Sequence, residues 1–248
     1  MNKIDERVTI IVQGPLTELS LRSVKHYSDK YHVIVSCWSD GDERIEKEMR
    51  EIVDSKENIK LVCEPLPSRE NTVGCIKEST FFWAVSGMHN ALQLVETEYS
   101  LRTRTDEYFK TFLPMFKLSI ETNKNKNKLV CGNIFVRKWN QDHVPYLTNL
   151  ERQHTANHIG DHIYIAPTHY IRNAFENLQG MYTQNIEMQT WAEQGPFCAE
   201  QILAHAYYYS RDVPIEKWGY FDAFCDNYHV FDINMLDEYV VRWGHGKQ

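Results

Sequence analysis

Arg102, Arg104 and Asp106 alternate with Thr103 and Thr105 in one five-residue run. Side chains of an extended strand alternate between its faces. The two guanidiniums and the carboxylate would therefore share one side and the two hydroxyls the other. A guanidinium grips a phosphate through parallel N–H donors, and a carboxylate at a strand end can hold a divalent cation that bridges a diphosphate. The trio reads as a diphosphate clamp. It reads equally as a structural Arg–Asp salt bridge closing a strand-to-helix turn, with Asp106 as the N-cap of the helix.

Two other short runs end apolar stretches in the same way: Gln13-Gly14-Pro15, and Ser36-Cys37-Trp38-Ser39-Asp40. In an open parallel sheet, ligands bind beyond the carboxyl ends of the strands, so these runs and 102–106 should line one crevice. Trp38 alone among the six tryptophans falls at such a strand end, where its ring could stack on a base or a sugar. The spacing of His154, His158 and His162 would align three imidazoles on a helix and suggests zinc. Gly160 and the β-branched run from Ile163 argue against a helix there. No nucleophile elbow, Walker loop or dinucleotide glycine fingerprint occurs, which demotes hydride transfer and P-loop phosphoryl transfer.

The elements that must position these groups alternate. Apolar runs at 8–13, 31–37, 58–63 and 99–103 read as strands, and 16–27, 43–54 and 78–95 as intervening helices. That pattern predicts an α/β fold, a mostly parallel central sheet with helices on both faces. A helix is expected over 106–120, kinked by Pro114, and a solvated Asn/Lys turn over 123–128. Beyond it, strands are expected at 129–136 and 161–166 and helices at 168–178 and 196–209, with longer connections. The chain reads as a single domain over 1–248, with a soft boundary near residue 138 between two lobes.

At 248 residues the chain can bury one sizeable core. Its formal charge of −7 argues against nucleic acid as the main partner. The six cysteines are scattered without C-x-x-C spacing, which fits a reducing, cytoplasmic setting. The first residues lack the zones of a signal peptide, and no apolar run has the length of a membrane span, which leaves room for peripheral membrane contact.

Taken in order, the motifs resemble the WavE-like lipopolysaccharide-synthesis family, presumed glycosyltransferases of the GT-A superfamily. Ile10-Ile11-Val12-Gln13-Gly14-Pro15 is similar to that family's opening strand and Gln-Gly-Pro turn. Val35-Ser36-Cys37-Trp38 is similar to its Ser-Thr-Trp, with Cys37 for Thr. Arg102-Thr103-Arg104-Thr105-Asp106 resembles its basic-x-Arg-Thr-Asp, and His158-Ile159-Gly160-Asp161-His162 its His-x-Ser-Asp, with Gly160 in the Ser place. Ala199-Glu200-Gln201 resembles its Glu-Gln. Of the family's pattern before the long helix, Asn71 is present, while Cys75-Ile76-Lys77 departs from it. The resemblance covers most of residues 8–203.

The resemblance implies a GT-A type fold, about 1–138 binding a nucleotide sugar and about 139–248 binding a glycan or glycolipid acceptor in surface polysaccharide or lipopolysaccharide biosynthesis. Gln13, Gly14, Pro15, Ser36, Trp38, Asn71, Arg102, Arg104, Thr105 and Asp106 would bind the donor. GT-A enzymes carry Asp-x-Asp at the end of strand four. Arg104-Thr105-Asp106 stands there, so Asp106 alone would ligate a divalent metal, Mn²⁺ or Mg²⁺, while Arg104 supplies fixed positive charge. Transfer of the inverting kind needs a base for the acceptor hydroxyl. The candidates are Glu200, in the first turn of a helix where the positive end favours its ionised form, and Asp161. His229 or His245 could supply a C-terminal metal ligand, though each also reads as a surface or core histidine. A sugar nucleotidyltransferase is the enzymatic alternative, but Gln13-Gly14-Pro15-Leu16 lacks the glycine-rich basic loop it would need. A catalytically inactive glycan-binding or scaffolding protein on the same fold is the third reading.

Overall fold

The computed structural model describes residues 5–39, 42–64, 80–124, 128–133, 159–160, 162–184, 199–214, 217 and 221–241; within helices, the side chains of 80–83, 181–184, 199–202, 205 and 221 lie outside the description. The chain opens with β1 (Asp5–Gln13), α1 (Glu18–Tyr27), β2 (Tyr31–Trp38), α2 (Glu43–Asp54) and β3 (Ile59–Glu64), joined by short turns. Thr17 starts α1 with a capping box: its Oγ1 accepts from the Ser20 N–H at 3.1 Å, and Ser20 Oγ accepts from the Thr17 N–H at 3.0 Å. Asp42 caps α2 in the same sense, accepting from Arg44 N, and Glu43 and Glu46 sit at the positive end of its dipole.

α3 (Thr80–Gln93) and β4 (Tyr99–Arg104) complete the parallel part, with β1 in the centre between β2 and β4. Next come β5 (Glu107–Phe109), α4 (Leu113–Asn123), β6 (Leu129–Gly132), β7 (Tyr164–Pro167), α5 (Thr168–Gln184), α6 (Ala199–Tyr209), α7 (Phe221–Asn227), β8 (Tyr228–Phe231) and β9 (Tyr239–Val241). The seven-stranded sheet has the order β3-β2-β1-β4-β7-β6-β8. β7 runs antiparallel to both neighbours, and β6 and β8 are parallel, so six strands share one direction. β5 and β9 form a separate antiparallel pair.

Helices cover both faces, as the alternation predicts. Ile11 and Ile34 pack with α3, α5 and α6 residues such as Met88, Phe175 and Tyr207, whereas Val8, Ile10, Val12, Val33 and Val35 pack with α1, α2 and α4 residues such as Val24, Met49 and Phe116. The central strands therefore read as unbroken apolar runs, because neither face meets water. Each such fully buried Ile or Val contributes about 1.5–3 kcal/mol.

One expected element is corrected. Residues 105–106 form a turn and 107–109 a strand, so the helix begins at Leu113 rather than at 106. Pro114 lies in its first turn, where the missing N–H has no partner to lose. Among the described residues no helix is long and apolar enough to cross a membrane.

Candidate active site at the carboxyl edge of the sheet

The chain leaves β1 through Gly14, whose φ of +134° is open to glycine. Its N–H donates to Ser36 O at 3.0 Å, and the Thr105 N–H donates to Gln13 O at 3.1 Å, so the ends of β2, β1 and β4 are tied side by side. A Cβ on residue 14 would lie 2.6 Å from Thr105 Oγ1. Thr17, while capping α1, also donates through Oγ1 to Thr105 O at 2.9 Å. Pro15 is exposed beside this turn, and Thr105 is buried beneath it.

Gln13 and Ser36 are buried with their polar atoms engaged. Gln13 Nε2 donates to Ala84 O at 2.5 Å and Ser36 Oγ to Gly87 O at 2.9 Å. Both fasten α3 against the carboxyl edge. Gly87 permits that approach: a Cβ there would stand 2.8 Å from Ser36 Oγ and 3.3 Å from Gln13 Nε2. Trp38, also buried, reaches the same spot with Cζ2 3.8 Å from that Cβ position.

Arg102 and Arg104 lie at different depths. Arg102 is buried, donating from Nε to Gln13 Oε1 and from Nη1 to His162 O, each at 3.3 Å, with its guanidinium 5.8 Å from the Tyr164 ring centre. Arg104 and Asp106 sit at the rim, their side chains 31% and 25% exposed. They form a two-pronged pair: Nε to Oδ1 at 2.8 Å and Nη2 to Oδ2 at 3.0 Å. The salt-bridge geometry is thus present, but Asp106 precedes a strand and caps no helix.

Glu107, which the motif reading passed over, is fully buried at the start of β5. Its Oε2 accepts from Thr103 Oγ1 at 3.0 Å and from the Arg104 N–H at 3.2 Å, and its Oε1 meets Nδ1 of the buried His162. Its carbonyl accepts from Ser23 Oγ of α1 at 2.9 Å. Continuing the alternation of Thr103 and Thr105 by two residues puts Glu107 on their side, the one sequence signal that pointed to it.

Of the remaining candidates, Asn71 and Asp161 lie outside the described residues, as do His154, His158 and His245. Glu200 is the second residue of α6, its side chain outside the description. His162 occupies a bend leading into β7, not a helix. His229, on β8, is partly buried, and burial and the nearby Lys128 hold its imidazole below its usual pKa. Cys37, Cys63, Cys131 and Cys225 are free thiols.

A divalent cation wants several oxygen ligands. The described rim offers one carboxylate, and both its oxygens accept from Arg104. Among the described residues no three His, Cys, Asp or Glu side chains gather to hold a metal. These residues do not by themselves fit a cation. A cleft of about 270 Å³ lies elsewhere, near the amino ends of β1 and β2, where His32 pairs with Glu6 and Lys60 with Glu96.

No protein-family model matches the chain, and no curated protein matches it. Several solved structures are similar in shape. The galactosyltransferase LgtC in complex with donor and acceptor sugar analogues is 10% identical over 80% of this chain and 70% of its own, with a TM-score of 0.47. The glycosyltransferase GlyE of Streptococcus pneumoniae TIGR4 is 9% identical over 93% and 46%, with a TM-score of 0.45. Residues 1–349 of S. aureus TarS in complex with UDP-GlcNAc are 12% identical over 97% and 60%, with a TM-score of 0.45.

Proposed function

We propose that this chain is a GT-A type glycosyltransferase that moves a sugar from a nucleotide-diphosphate donor to a glycan or glycolipid acceptor, with inversion, in surface polysaccharide or lipopolysaccharide biosynthesis. The ordered WavE-like motifs support this reading. The observation that carries it is the solvent-facing Arg104–Asp106 pair at the carboxyl end of β4, next to the Gly14-Pro15 turn of β1. Such an edge is where a parallel sheet receives a nucleotide.

In the transfer, the acceptor hydroxyl oxygen forms a bond to the sugar C1. The bond from C1 to the diphosphate oxygen breaks, and the nucleoside diphosphate leaves with the electron pair. The hydroxyl proton passes to a carboxylate, Glu200 or Asp161. Negative charge grows on the diphosphate, and Arg104, aimed by Asp106, would stabilise it. Buried Gln13, Ser36 and Trp38 would shape the nucleotide side by holding α3, and Arg102 would stiffen the floor.

The test is release of nucleoside diphosphate from a panel of nucleotide sugars, assayed with Mn²⁺, with Mg²⁺ and with a chelator. Wild type should release it from at least one donor, and Asp106→Ala should lower turnover about 100-fold or more. Because the pair is half-buried, its loss should cost about 1–3 kcal/mol of stability. No release and no thermal shift with any donor or free diphosphate would leave the inactive glycan-binding reading.

A further inference from the structure

We infer that Glu107 is the positioning residue of this site, a single buried carboxylate that fixes the Arg104–Asp106 rim and the segment leading into β7 in one geometry. The inference rests on the donor-site reading above. A carboxylate with no solvent contact suffers a large desolvation penalty, and apolar packing of similar volume would serve stability as well. Here the carboxylate is met by donors from two neighbouring segments: Thr103 Oγ1 and the Arg104 N–H on β4, and His162 Nδ1 ahead of β7. A carboxylate oxygen accepts, so the contact with Glu107 orients the ring with Nδ1 toward it.

His162 is gripped twice. Glu107 takes its ring, and the Arg102 guanidinium donates to its carbonyl at 3.3 Å. Arg102 is in turn fixed by Gln13 at the end of β1. A connected path therefore runs from the β1 turn through Arg102 and His162 to Glu107, and from Glu107 to the backbone of Arg104. Asp161, a candidate base, immediately precedes His162. The Arg104–Asp106 rim and His162 thus share one buried anchor, and a displacement of about 1 Å in such a frame costs about 100-fold in rate.

The experiment compares nucleoside diphosphate release by wild type, Glu107→Gln, His162→Leu, His162→Asn and the Glu107→Gln/His162→Leu pair, at a temperature where circular dichroism shows each folded. Glu107→Gln keeps the size but turns an amide N–H toward groups that themselves donate. Its kcat should fall about 10- to 100-fold, with a much smaller change in donor KM. His162→Asn, whose amide can still donate to Glu107, should regain part of the turnover lost in His162→Leu. The double variant should be no slower than the slower single one. Where Glu107→Gln does not fold, Glu107→Asp, which retracts the carboxylate by one methylene, carries the same test. An active wild type with Glu107→Gln kcat within about twofold of it, or His162→Asn as slow as His162→Leu, overturns the inference alone. A wild type inactive on every donor overturns the donor-site reading, and the inference falls with it.

Discussion

Gly14 packs against Thr105 in the candidate site, and that contact decides what residue 14 can be. A side chain there would strain the backbone at φ +134° and drive a Cβ to 2.6 Å from Thr105 Oγ1. Backbone strain of this kind costs about 1–3 kcal/mol. Gly14→Ala should therefore lower the unfolding midpoint by roughly 2–12 °C, read by differential scanning calorimetry. The same displacement pushes on the turn that carries Asp106, so nucleoside diphosphate binding should weaken as well. An alanine variant with an unchanged midpoint would mean the turn has room to open. Residue identity made Gly14 and Asp106 legible in the sequence, since a Gly-Pro turn and an Arg-x-Asp run announce themselves. Depth was not legible: alternation put Arg102 and Arg104 on one side, but only the β4–β7 pairing of Arg102 with Tyr164 shows that Arg102 is covered.

Among the elements, α1 is joined to the site at its N-cap by Thr17 and further along by Ser23, which donates to Glu107 O. Thr17 caps the helix and donates to Thr105 O. Loss of a cap costs about 0.5–2 kcal/mol, and loss of the second bond about 1 kcal/mol more. Thr17→Ala should lower the urea midpoint by the corresponding amount without changing the m-value, and Thr17→Ser should restore most of it. The β/α alternation of the first half could be read because its signals are local: α2 spans 43–54 as expected, opened by Asp42, and the buried strands are continuous apolar runs. β5 could not. Its pairing partner, β9, lies more than a hundred residues away, and without it the stretch after Asp106 looks like the start of a helix. Glu107 went unread for the same reason, because its role depends on His162, brought alongside by β7.

For the whole molecule, the buried acids set an alkaline limit. Burial pushes the Cys131 thiol up to about 12, and it raises the Tyr27, Tyr207, Tyr208 and Tyr228 phenols as well. In the folded state these groups keep protons that the unfolded chain gives up from near 9 for the thiol and 10 for the phenols. Their contribution is complete below those values and is lost as pH rises, each group subtracting about 1.4 kcal/mol per pH unit until its folded value is reached. Urea midpoints should hold steady up to about pH 8.5 and drop with increasing steepness above it; a flat profile to about pH 11 would contradict the burial of these rings. The central place of β1 has a consequence of a different kind. Its β4 edge is filled only when Val8 meets Tyr99, about 90 residues later in synthesis. At about 5–20 residues per second the growing chain spends roughly 5–20 s with that apolar strand open on one side. The unfinished polypeptide, rather than the mature protein, is then the form most exposed to edge-to-edge association.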